Sequence, residues 1–365
     1  MERRFVSLSV TALHSAHANL RGRMIDFNGW SMPVQYEGIM AEHRVVREGC
    51  GIFDVSHMGR IRIDGADAPE FLNMLLTNEF ASMKPGLARY SLLCREDGGI
   101  IDDMVIFRLG SAEYLAIPNA GSYEKVLTWL NKWAVDFQGL SVVPLRDETS
   151  MIAVQGPRSE QIMERLTGLD LNGMRRFSHT QVSIFGRNVL VARTGYTGED
   201  GFEVISESGD AMAIWEALMG EGCVPCGLGS RDTLRLEAGL LLYGSDMDES
   251  INPLEVGLTK FINFNKDFVG VEALRAQETA GVQRHLYGLC VDKKEGIPRA
   301  HQEVYSNGEL IGETTSGTFA PSLGIGIALA LLSSDFEVGA TVEVDIRGKR
   351  VSSTISQLPF YVKKD

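Results

Sequence analysis

The feature that most constrains the fold is a change of period along the chain. Up to about residue 275, helix-spaced apolar stretches alternate with strand-like runs. "PEFLNMLLTNEF", "SYEKVLTWLNKWA" (apolar at 123, 126, 127, 130 and 133) and "ESGDAMAIWEALMGEG" read as helices. "YSLLCREDGGIIDDMVIFRL" reads as strand, turn, strand, and "AEYLAIPN" as a further strand. Beyond about residue 283 only short strand-like segments remain, punctuated by turns, and "SNGEL" is a hairpin signal. Short turns between strands with helices interspersed predict α+β with mainly antiparallel sheet, and the tail predicts a small all-β barrel or sandwich. The boundary falls in "AQETAGVQ", near 275 to 283.

A length of 365 residues suits two or three domains. A formal charge of -13 opposes nucleic acid and anionic membrane, so neither is expected as a partner. No apolar run is long enough to span a bilayer, and "MERRFVSLSVTALHSAHANL" lacks the apolar core of a secretory signal, so a cytoplasmic setting is expected. Five cysteines are scattered; "CVPC" (Cys223 to Cys226) has redox spacing, but ordinary buried thiols are the better reading. His14 and His17 lack a third ligand nearby and read as helix surface; no metal is expected.

The question of chemistry begins at "GGIIDDMVIFRL", residues 98 to 109, where Asp102 and Asp103 sit in an apolar strand. Alternation sends adjacent side chains to opposite faces, and Asp103 shares its face with Ile101, Val105 and Phe107. A buried carboxylate without partners costs several kcal/mol, so at least one of the pair must be bonded or kept for use.

"RTGYTGEDGFEV", residues 193 to 204, spaces glycines as GxxGxxG, but a strand precedes it and another follows. A phosphate loop needs a helix N-terminus there, so a glycine-rich turn bringing Tyr196 and Glu203 to a ligand fits better, with a plain hairpin as the alternative. "GLGSRDTLRLEAGLLLYGSDMDE" reads as a loop feeding a helix from Ser230 or Arg231. Arg235 suits an Arg–carboxylate network stapling domains, and Arg231, beside the glycines, suits carboxylate binding. Ser56 and His57 are adjacent and point apart, so they make no nucleophile–base pair, and His57 reads as a hydrogen-bonded structural histidine.

Several stretches together resemble the aminomethyltransferase (T-protein) family of the glycine cleavage system. They are "DFNGWSMPVQY", "GIFDVSHMG", "GGIIDDMVIFRL", "QGP", "RTGYTGEDGFE", "GLGSRDTLRLEAGLLLYGSDMDE", "NPLEVGL", "NKDFVGVEAL" and "TSGTFAPSLGIGIALA", in family order over nearly the whole chain. The resemblance implies a three-domain, cloverleaf-like molecule: a folate-binding core from 1–55 and 140–275, an inserted α+β domain at 56–139, and a barrel at 283–365. It implies tetrahydrofolate as co-substrate and a lipoylated carrier, the H-protein, as partner. By motif position Asp103 matches the family's functional aspartate, Glu203 and Arg231 its folate contacts, and Tyr90, Val105 and Tyr196 its cavity lining. An ionised Asp103 beside the reacting nitrogens would stabilise developing positive charge and help move protons. Asp102, on the other face, would be structural.

The match has departures. Phe107 and Phe177 stand where some members carry Tyr, Pro118 alters the "VNA" stretch, Arg175 and Arg176 replace a more apolar region, and the end "PFYVKKD" is short. Rival readings are a folate-dependent demethylase on the same scaffold and a non-catalytic folate-binding accessory protein. The second carries "KGCYxGQE", where this chain has "KDFVGVE" without cysteine.

Overall fold

A computed structural model describes residues 7–333 and 335–363. The chain divides into two compact units: residues up to Arg60 with Leu145–Asp232, and Ile61–Pro144 with the chain from Thr233 on.

The first unit is built on a six-stranded sheet in the order His179–Ile184, Arg187–Ala192, Gly201–Glu207, Thr149–Gln155, Gly51–Asp54, Val224–Pro225. Its strands pair antiparallel except the last, which runs parallel to Gly51–Asp54. Helices Ser159–Thr167 and Ala211–Gly220 cover it, and Ile162, Met163, Phe202, Ile214 and Trp215 share one core with Ile52 and Val154. The helix His14–Asn19 is only six residues long. Within it His17 departs from the sequence reading: its ring is fully buried, bonded to Asp54 Oδ2 at 2.9 Å and Tyr36 Oη at 2.8 Å. "CVPC" gives buried free thiols, as expected; Cys223 Sγ lies 3.4 Å from Cys50 Sγ, and that hydrogen bond, with burial, pushes the Cys223 thiol up.

The second unit holds a five-stranded antiparallel sheet in the order Ala88–Cys94, Ile100–Arg108, Glu113–Ile117, Ile61–Asp64, Ser141–Pro144. The predicted helix at 122–134 forms as Tyr123–Ala134, burying Tyr123, Val126 and Leu130 against this sheet. "PEFLNMLLTNEF" is helical only to Leu75, because Leu76 bridges Leu93 and Thr77 N–H donates to Leu92 O at 3.0 Å. The expected barrel closes from six antiparallel strands, His285–Val291 pairing with both Ile325–Leu332 and Lys349–Ser356. Its hairpin at "SNGEL" has Asn307 and Gly308 both at positive φ, 52° and 86°, as a two-residue turn matching strand twist requires.

The helix Leu228–Glu237 begins slightly earlier than predicted. It ends where Gly239 takes φ 67°, so that Leu240 N–H reaches Arg235 O and Gly239 N–H reaches Leu236 O. Arg235 is buried; it pairs with Asp246 at 2.7 Å and donates to Ser316 Oγ at 2.8 Å, while Thr315 Oγ donates to Asp246 Oδ1 at 2.6 Å. This network ties the helix to the barrel strand Glu309–Ala320. Among the described residues no helix is long and apolar enough to cross a membrane.

Candidate active site

In the second unit the suspect carboxylates have partners. Tyr90 lies directly across the ladder from Val105, and Leu92 across from Asp103. Tyr90, Val105 and Asp103 thus share one face, and the Tyr90 hydroxyl donates to Asp103 Oδ2 at 2.9 Å. The Tyr90 ring meets Phe261 edge-on at 4.5 Å between centroids. Asp103 is half-buried and Asp102 fully buried.

Sequence reasoning missed Asn119. The strands Ile100–Arg108 and Glu113–Ile117 pair up to Val105 and Ile117; continued by two residues, that register sets Asn119 opposite Asp103. Pro118 has no N–H to extend the ladder, and the chain turns away. Asn119 folds back, its Nδ2 at 2.8 Å from Asp102 Oδ1, 2.9 Å from Asp103 Oδ1 and 3.0 Å from Asp103 O. Its backbone N–H donates to Asp102 Oδ2 at 3.0 Å. Both carboxylates thus reach one amide. Burial raises the Asp103 pKa, opposed by the Tyr90 and Asn119 bonds, with Asp246 adding to the rise. Burial and the neighbouring Asp103 charge raise Asp102 further.

In the first unit Glu203 sits on the strand Gly201–Glu207, opposite Ala192 and Ala153, and accepts from Thr194 Oγ1. Burial raises its pKa, against the Thr194 bond and the Arg231 charge. The Arg231 guanidinium lies 5.0 Å from the Tyr196 ring centroid and 5.9 Å from that of Phe53. The structure therefore brings Glu203, Arg231 and Tyr196 together. Arg231 Nη1 is buried with no hydrogen-bond partner among the described residues. His57 Nδ1 is equally unpartnered, which departs from the bonded structural histidine expected. Burial pushes His57 down to about 4, with Asp54 opposing and Arg231 and Arg60 adding, so its ring is neutral near pH 7. Ser56 is taken up by backbone: its Oγ accepts from Met151 N–H at 3.0 Å.

The GxxGxxG turn is neither a phosphate loop nor a bare hairpin. It closes over the buried Gln155 side chain, which donates to Thr194 O at 3.1 Å and accepts from Thr197 Oγ1 at 2.8 Å. A Cβ at Gly195 or Gly201 would overlap that amide. Of the residues that differ from the family pattern, Phe107 is fully buried and Phe177 is exposed. No group of three or more His, Cys, Asp or Glu able to hold a metal ion occurs among the described residues.

Comparison with known proteins assigns the chain. The family model described as GCVT N-terminal domain matches residues 13–266, and the glycine cleavage T-protein C-terminal barrel domain matches 284–361. An aminomethyltransferase of Geobacillus kaustophilus is 44% identical, covering 97% of this chain and 99% of its own. That of Bacillus subtilis is 41% identical with the same coverage of both. The crystal structure of glycine cleavage system aminomethyltransferase T from Bartonella henselae superposes with a TM-score of 0.92 at 33% identity, over 97% of this chain and 98% of that one. The chain belongs to the aminomethyltransferase family, the T-proteins of the glycine cleavage system.

Proposed function

We propose that Asp103 is the reacting carboxylate of this aminomethyltransferase, and that it works on a one-carbon unit carried as an aminomethyl group on the dihydrolipoyl arm of the H-protein. The acceptor is tetrahydrofolate, and the products are ammonia, methylene-tetrahydrofolate and the reduced carrier. When bound, tetrahydrofolate supplies the nucleophilic nitrogens that take the carbon.

The observation that carries this reading is the clamp on Asp103. Tyr90 holds one carboxylate oxygen and Asn119 the other, each from a neutral donor, so the group is fixed in orientation without its charge being neutralised. A fixed, uncompensated carboxylate in a partly dry setting stabilises positive charge developing on an adjacent amine and can hold a proton in passage. Removing such a group typically costs about 10² to 10⁴ in rate.

Glu203 and Arg231 are assigned to the pteridine, with Tyr196 and Tyr90 packing on flat rings and Val105 supplying apolar lining. The buried Glu203 carboxylate, the unfilled Arg231 Nη1 and the unfilled His57 Nδ1 fit a heterocycle that both donates and accepts hydrogen bonds. The test is formation of methylene-tetrahydrofolate from tetrahydrofolate and aminomethyl-loaded carrier, with Asp103→Asn alongside. A fall of ten-fold or more supports the assignment; a folded Asp103→Asn with full turnover removes Asp103 from the chemistry.

A further inference from the structure

Asp102 is a buried carboxyl group with no part in the roles above. We infer that Asp102 and Asp103 form a carboxyl–carboxylate pair held by Asn119, in which Asp102 keeps a proton and Asp103 carries the only charge.

The shared donor and the lack of a cation point to it. Asn119 Nδ2 has two hydrogens but faces three oxygens within 3.0 Å: Asp102 Oδ1, Asp103 Oδ1 and Asp103 O. The other bonds come from the Asn119 backbone N–H and the Ser122 side chain to Asp102, and from the Tyr90 hydroxyl to Asp103. Every one of these donors is neutral. Among the described residues neither carboxylate forms an ion pair, so two full charges would sit on one amide nitrogen with no cation against them. Like charges that close in dry surroundings do not both ionise near neutral pH.

The surroundings add no relief. From the strand Ala88–Cys94 comes Tyr90, and from the turn before the helix Tyr123–Ala134 come Asn119 and Ser122, all uncharged at neutral pH. The segment 243–249 contributes Tyr243, Asp246, Asp248 and Glu249. Asp246 is balanced by Arg235 at 2.7 Å and Glu249 by Lys125. The field is therefore neutral to negative on every side. Burial decides which partner keeps the proton: Asp102 is fully buried and Asp103 is half-buried. Burial lifts both groups, and Asp102 the further.

Asp102 is then a positioning residue. Kept neutral, it lets Asn119 stand between the two groups without setting a second charge against Asp103, whose own burial keeps it basic enough to exchange a proton in the working range. When Asp103 takes a proton from a substrate nitrogen, that N–H bond breaks, an O–H bond forms, and the pair passes from one negative charge to none. Returning it to the departing amine restores the single charge. This catalytic consequence rests on the reading of Asp103 above; the proton on Asp102 does not.

The test is infrared spectroscopy on the full chain with carboxyl-labelled aspartate, which separates these groups from Glu203. Wild type at pH 7 is expected to show an aspartic-acid C=O band that vanishes on raising the pH, and Asp102→Asn is expected to lack it. No such band in wild type, or a band that persists in Asp102→Asn, overturns the pair. Should Asp102→Asn fail to fold, Asp103→Asn decides: removing the neighbouring charge lowers the pH at which the band disappears by about one unit or more. An unmoved limit sinks the sharing. A wild-type band together with a fully active Asp103→Asn would instead keep the pair and end the functional reading.

Discussion

The hydroxyl of Tyr90 stands 2.9 Å from Asp103 Oδ2, donating from the neighbouring strand. A bond to the charged form favours that form, so it opposes the upward push of burial on Asp103. Tyr90→Phe removes the bond and keeps the ring on Phe261. The acid limb of the kcat–pH profile then moves to higher pH by about one unit, because a group whose pKa rises needs a higher pH to ionise. A limb that stays in place would show that Asp103 does not govern it.

Arg231→Met tests the first unit separately. It removes the guanidinium beside Tyr196 and leaves the buried Glu203 without the charge that opposes its rise. The expected result is a KM for tetrahydrofolate raised by about ten-fold or more, with a smaller change in kcat, as for an interaction made in ground and transition state alike. Equal KM values for wild type and variant would take Arg231 out of folate binding.

Acid stability follows from two buried groups. His57 is depressed to about 4, below its unfolded value, so the stability of its neutral form is complete above about 6.5 and lost as pH falls through 4. Burial would raise Asp54, but the bonds from His17, Thr11 and Ser56 outweigh it and hold it near 2; its contribution is lost as pH falls from the ordinary carboxylate range through 2. Thermal melts should show a two-stage loss. His57→Gln should flatten the first stage, and Asp54→Asn the second. A wild-type Tm constant from pH 6.5 to 4 would contradict the assignment of His57.

Gly195→Ala and Gly201→Ala each drive a methyl group into the Gln155 amide. Overpacking of this kind costs about 1–3 kcal/mol, visible as a lowered midpoint in urea. Gly209→Ala, where a Cβ meets open space, serves as the control.

Where periodicity carries the information, the sequence is legible: the hairpin holding Asp103, the helix Tyr123–Ala134 and the short strands of the tail follow from local pattern, while closure of that tail as a barrel rather than a sandwich does not. What it hid depends on register or distant partners. Asn119 acquires its role because it lies opposite Asp103 two residues past the end of a ladder, and Pro118, visible only as a departure, interrupts the ladder before it. His17 was misread because a helix of six residues shows too little periodicity to reveal its buried face, and its partner Asp54 is 37 residues away. The spacing of the glycines around Tyr196 shows a ligand turn or a hairpin and no more; that they close over Gln155, some forty residues earlier, is a tertiary fact.

The two larger open sheets treat their edges unequally. Each has one edge strand that is short and ends in proline: Val224–Pro225 in one and Ser141–Pro144 in the other. Proline offers no N–H to an incoming strand, and short edges give little purchase for one. The opposite edge of the five-stranded sheet, Ala88–Cys94, is partly occupied by Thr77 through its bond to Leu92 O. The barrel, being closed, exposes none. Resistance to strand-to-strand aggregation is thus written into three of the four edges of these two sheets, leaving His179–Ile184 as their long open edge, from which self-association by strand addition would begin.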